Sequence, residues 1–225
     1  MSTYRKNHQS GFTLVELAIV LVIIGLLLGG VLKGQEMIEN GKIKNLQNDV
    51  KGVTAAYYAY RDRYNAIPGD DPKAATRWPG PYTAPSLIGV NGTGDGLISG
   101  AWATCGSAAS TNANENCLFM HDLRLSGLIT GALNPADPIN AYGGVIRALQ
   151  SSVVTNTSVV VGLNLCFGNL PSKAAEAIDA SFDDGVPNTG NVRAALSAGN
   201  VDPTATAAGP TSYIDPNTYT VCKLL

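Results

Sequence analysis

From Phe12 to Leu32 the chain reads FTLVELAIVLVIIGLLLGGVL, 21 residues with a single ionisable group, Glu16. As an α-helix rising about 1.5 Å per residue, this run would be roughly 31 Å long, the hydrocarbon thickness of a bilayer. Arg5 and Lys6 precede it and no acid does. Positive charge is held on the cytoplasmic side, so the rest of the chain is expected to be exported. A cleaved secretory signal fits poorly, because its apolar region is only about 7–15 residues and ends in a small-residue site. Here the run is longer and Lys33-Gly34-Gln35-Glu36 follows. A plain membrane anchor fits the length but leaves Glu16 unexplained. A carboxylate in a membrane helix costs about 2.5–3.5 kcal/mol at the centre, less near an end, and marks a functional position. The helix macrodipole offsets only up to ~1 kcal/mol of that.

Composition and charge sharpen the division of the chain. The 225 residues carry 15 basic and 17 acidic groups, a net charge of −2, and 45% of them are apolar. That excludes a disordered polyelectrolyte. Only 3 of the 32 charges lie in residues 1–32, against 14 in 33–77 and 15 in 78–225. The start is therefore apolar, a short charged segment follows, and a long, sparsely charged remainder completes the chain.

Ser10-Gly11-Phe12-Thr13-Leu14-Val15-Glu16-Leu17 resembles the N-terminal signature of type IV prepilins and pseudopilins. A short basic leader ends in Gly, Phe follows, Glu stands four positions later, and an unbroken apolar run continues. The resemblance covers the leader and the whole apolar segment. It implies that a prepilin peptidase cuts between Gly11 and Phe12 on the cytoplasmic side and N-methylates Phe12. Removing 11 of the 225 residues leaves 214, with the apolar helix retained. The new Phe12 amine has an ordinary pKa of about 7.7–8.0. Phe12 and Glu16 stand at i and i+4, on one helix face. The pair can close within one chain or between neighbouring subunits, and in this family the intermolecular pair is thought to set the axial register of a filament. A wrong register would leave a charge unpaired among apolar helices.

The same resemblance implies the setting. The chain would cross the bacterial inner membrane once with its N-terminus cytoplasmic, then enter a periplasmic or extracellular filament. Its partners would be other pilin subunits, prepilin peptidase and an inner-membrane assembly platform. The expected function is that of a structural subunit of a type IV pilus or a related, type II secretion-like filament. The alternative is a minor pilin that serves as a binding, adhesion or DNA-uptake module on the filament.

Ile43, Leu46, Val50, Val53, Tyr57, Tyr60 and Tyr64 follow one another at steps of 3, 4, 3, 4, 3 and 4. That spacing predicts one apolar face of a helix. Three heptads make a short zipper, so the face is expected to pack on the chain's own globular part. The helix should end near Tyr64-Asn65, because Ile67-Pro68-Gly69 is a turn signal. Gly25, Gly29, Gly30, Gly34 and Gly41 lie along it, and 29–34 is the expected place for local unwinding on entry to a filament. The resulting division is leader 1–11, long helix 12–64 with 12–32 as membrane span and filament core, and exported head 65–225.

In the head, apolar β-branched runs mark Ser86–Val90, Ser152–Leu165 and Tyr219–Leu225, with the clearest strand at Ser158–Leu163. Shorter helices are expected at Cys117–Leu128 and Lys173–Ala180, and a loop at Asn200–Thr211. The fold class is therefore α+β, a long N-terminal helix packed on a small antiparallel sheet with long loops.

Cys105, Cys117, Cys166 and Cys222 make an even count in an exported domain, which suggests two disulfides in one of three connectivities. The pilin resemblance, with its C-terminal disulfides, favours Cys166–Cys222. A thiolate metal site lacks a C-x-x-C spacing, and only His121 would remain after cleavage.

Two oxygen-rich loops are candidate calcium sites, one with Asn91, Thr93 and Asp95 and one with Asp179, Asp183 and Asp184. Turn chemistry also uses these residue types. No other cofactor is implied. Residues 78–225 hold five basic and ten acidic groups, so no nucleic-acid partner is expected there. The chain lacks G-x-S-x-G, H-E-x-x-H and a complete phosphate loop, so an enzyme is not expected.

Overall fold

The computed structural model describes residues 13–80, 89–100, 102, 105, 114–133, 136–151, 158–196, 203 and 209–225. The chain divides into two compact units, Met1–Gly41 and Lys42–Leu225. Helix α1 (Leu14–Tyr64) contributes to both.

In the first unit the described side chains from Thr13 to Lys33 are all exposed. Leu14, Leu26 and Leu32 are more than 60% exposed, which an aqueous setting would penalise heavily. The helix is long and apolar enough to cross a membrane. It is unbroken through Gly25, Gly29, Gly30, Gly34 and Gly41 in this single chain. Open space surrounds each of those glycines, so nothing packed against them holds them small.

In the second unit α1 buries Ile43, Leu46, Val50, Val53, Ala56, Tyr57 and Tyr60, the face that the spacing predicts. Tyr64, the last member of that stripe, packs half-buried against the same core. The helix ends where expected. Asn65 adopts φ 51° and its N–H still reaches Arg61 O at 2.9 Å, and Pro68-Gly69 then turns the chain. Asn tolerates this left-handed conformation better than most residues.

The remaining elements are α2 (Ala74–Arg77), α3 (Glu115–Leu125), β1 (Ile146–Ser151), β2 (Gly162–Pro171), α4 (Ser172–Phe182), β3 (Val192–Leu196) and β4 (Thr218–Leu224). The strands form one antiparallel sheet in the order β1-β2-β4-β3. Alternation along the strands divides the side chains between two faces. Ile146, Ala148, Leu165, Phe167, Val192, Ala194, Tyr219 and Val221 join the α1 stripe, Phe119, Met120, Leu123 and Ile178 in the main core. Leu149, Cys166 and Cys222 point the other way and pack with Val159 and Trp102. The α+β class and the long helix agree with the expectation.

Several boundaries differ. The strand expected at Ser158–Leu163 begins only at Gly162, whose φ of 123° re-aims the chain. Val159 is buried in the smaller cluster instead of in the sheet. The helix expected at Cys117–Leu128 starts two residues earlier, at Glu115, and ends three earlier, at Leu125, where Gly127 at φ 72° turns the chain. Strands β1 and β3 and the one-turn α2 are additions. Of the expected strand at 86–90, Gly89 and Val90 are non-strand and 86–88 lie outside the described residues. Most of the expected loop at 200–211 also lies outside them.

Candidate functional site

At the start of α1, Thr13 and Glu16 form a capping box. Glu16 Oε2 accepts the Thr13 N–H and the Thr13 hydroxyl, each at 2.8 Å, and the Glu16 N–H donates to Thr13 Oγ1 at 3.3 Å. The pair satisfies backbone donors that a helix start leaves unpaired. The spacing Thr13-x-x-Glu16 carries this signal, which a reading of Glu16 as a macrodipole partner overlooks. Gly11 and Phe12, the expected cleavage and methylation residues, lie outside the described residues. Both hydrogen bonds described on the Glu16 carboxylate fall on Oε2, so its second oxygen can receive another donor, such as an amine.

In the head, three consecutive residues after α1 each tie the turn to a different element. The Gly69 N–H donates to Asp122 Oδ2 on α3 at 2.7 Å. Asp70 accepts the N–H groups of Gly94, Asp95 and Gly96 and the Thr93 hydroxyl. Asp71 accepts the Tyr60 hydroxyl of α1 at 2.8 Å and is ion-paired with Arg77 of α2. Gly69 stands at φ 88°, and a Cβ there would run into the Glu115 carbonyl.

Glu115 grips the same loop from α3. Its Oε1 accepts the Thr93 N–H at 2.7 Å and its Oε2 accepts the Ser99 N–H at 2.8 Å. Burial opposes ionisation there, but these donors prevail and hold the carboxyl below its ordinary value. The loop of Asn91, Thr93 and Asp95 therefore aims backbone donors at two carboxylates, the reverse of what a cation requires.

Asp179, Asp183 and Asp184 do come together, each offering a carboxylate oxygen within 4.8 Å of the others. Each is engaged by the turn between α4 and β3. Asp179 accepts Tyr213 OH at 2.7 Å and Gly185 N–H at 3.1 Å. Asp183 accepts the N–H groups of Asn191 and Val192. Asp184 accepts Val186 N–H at 2.9 Å and Thr189 OH at 2.5 Å. Burial pushes the Asp179 carboxyl up, whereas the Thr189 hydroxyl and Val186 N–H hold Asp184 down.

Cys105 is bonded to Cys117, and Cys166 to Cys222. Cys166 and Cys222 face each other directly across β2 and β4. Their bridge lies on the sheet face opposite α1, buried with Leu149 and Val159.

Among known families, residues 6–32 match the prokaryotic N-terminal methylation motif. No curated protein and no solved structure matches the chain. The matched stretch takes in the basic leader end, Gly11, Phe12, Glu16 and the apolar run to Leu32. Together with the long apolar helix and the antiparallel sheet, that motif supports a type IV pilin-like chain, a prepilin or pseudopilin.

Proposed function

We propose that this chain is a structural subunit of a type IV pilus or a related, type II secretion-like filament. The observation that carries the reading is the methylation motif at residues 6–32. Prepilin peptidase cuts between Gly11 and Phe12 and methylates the new amine. The apolar half of α1 holds the subunit in the inner membrane until assembly, then exchanges lipid for the helices of neighbouring subunits. That exchange is close to neutral in apolar burial, so packing and polar pairing must select the arrangement. Glu16 supplies the polar term by pairing with the Phe12 amine of a neighbour. The role is structural and not catalytic.

Glu16→Ala tests the assembly step. Membrane insertion should survive, because the substitution makes the span more apolar. Incorporation into sheared filaments should fall by an order of magnitude or more, the effect expected when a buried charge loses its partner. Normal incorporation of Glu16→Ala would contradict the role assigned to this residue.

A further inference from the structure

Asp122 lies wholly inside the head on α3. Its Oδ2 has the Gly69 N–H, and its buried Oδ1 has no hydrogen-bond partner. One neutral donor is poor compensation for a buried charge. Arg77 of α2 is the cation whose field reaches it, and that guanidinium is ion-paired with Asp71. Tyr60 of α1 also feels Asp122, and its hydroxyl is committed to Asp71. On α3 itself Glu115 is held by Thr93 and Ser99, Arg124 donates to Ala136 O, and His121 is buried and partnered. Burial accordingly pushes the Asp122 carboxyl up to about 7, against the pull of Gly69 N–H and Arg77.

The next residue in the chain after Gly69 is Asp70, from which the Thr93–Gly96 loop hangs. A cleft of about 540 Å³ borders this turn, lined by Tyr58, Arg61, Asp62, Asn65, Asp70 and Gly96 among others. The turn thus meets the cleft through Asp70 and meets Asp122 through Gly69. We propose that Asp122 is a proton-operated latch: protonated, it stays buried beneath a closed Gly69–Asp71 turn at little cost, and deprotonated, the cost of burying its charge outweighs the Gly69 hydrogen bond and drives that turn and the Thr93–Gly96 loop open together.

The sign follows from linkage. The folded carboxyl binds its proton more tightly than the ordinary value of 3.8 allows in the opened state. Its contribution to stability is complete below about pH 4 and is lost as pH rises through about 7. The opening constant should climb roughly tenfold per pH unit between those limits and level off above them.

Amide hydrogen exchange tests this on the full chain in detergent micelles, after correction for intrinsic exchange rates. Between about pH 5 and 7, protection at Gly69, Gly94 and Gly96 should fall roughly tenfold per unit, then stay level. In Asp122→Asn the same amides should show no such slope. Asp49 and Asp179, also pushed up by burial, titrate in both chains and cancel in the comparison. A flat profile in the natural chain, or an unchanged slope in Asp122→Asn, would overturn the latch. Should Asp122→Asn fail to fold, the side-chain carboxyl ¹³C shift of Asp122 in the natural chain decides. A midpoint near pH 7 supports the latch, and one below about pH 5 refutes it.

Discussion

Thr13 and Glu16 hold each other at the first turn of α1, with three hydrogen bonds between them. Glu16 therefore has a partner within its own chain besides any amine supplied by a neighbour. Thr13→Ala removes the hydroxyl and should loosen the first turn by about 1 kcal/mol, roughly a fivefold rise in its opening. Thr13→Ser should restore most of the loss. Amide exchange at residues 14–17 in micelles reads the difference, and equal exchange in all three chains would contradict the cap.

Asp70 gathers three backbone N–H groups and a hydroxyl while only 3% exposed. Asp70→Asn keeps the shape but turns an amide N–H₂ toward those donors. The substitution should cost about 3 kcal/mol, the scale of losing charge-assisted bonds in a buried site. Denaturant unfolding of the full chain in micelles measures it. A loss under about 1 kcal/mol would mean that the loop is held by other contacts.

The two disulfides should differ in weight. Cys105–Cys117 spans 12 positions and Cys166–Cys222 spans 56. Chain-entropy reasoning gives about 3 kcal/mol for the shorter closure and about 4 kcal/mol for the longer. Paired Cys→Ala replacement should therefore lower stability more at Cys166 and Cys222. The reverse order in denaturant midpoints would contradict that ranking.

Two glycines with opposite surroundings give a matched pair. Gly52 lies within α1 with open space where a Cβ would be, so Gly52→Ala should stabilise by about 0.5–1 kcal/mol. Gly144 abuts the Gly168 carbonyl, so Gly144→Ala must displace backbone and should destabilise by more than about 2 kcal/mol. Thermal unfolding of both variants checks the signs.

The contrast between what the residues announced and what they concealed has physical causes. The α1 stripe from Ile43 to Tyr60 was readable, because a 3.6-residue period survives any tertiary context. Strand β1 was not, since IRALQS places a buried Arg147 among apolar neighbours. That guanidinium is ion-paired with Asp137 and lies 4.8 Å from the Trp102 ring centroid. Strand β3 is five residues long and rich in alanine. Val159-Val160-Val161 had strand composition, but the ladder starts after them. The Asp70 and Glu115 clamps join residues 16 to 26 positions apart, beyond any local pattern. Thr13-x-x-Glu16 is local and readable as a cap, although the membrane setting gives Glu16 a competing role.

Mass spectrometry of the N-terminus of the chain purified from membranes bears on the processing on which the filament account depends. The account predicts a 214-residue chain starting at Phe12 and heavier by one methyl group on its amine. An intact Met1 start, or a chain cut after Leu32, would contradict it.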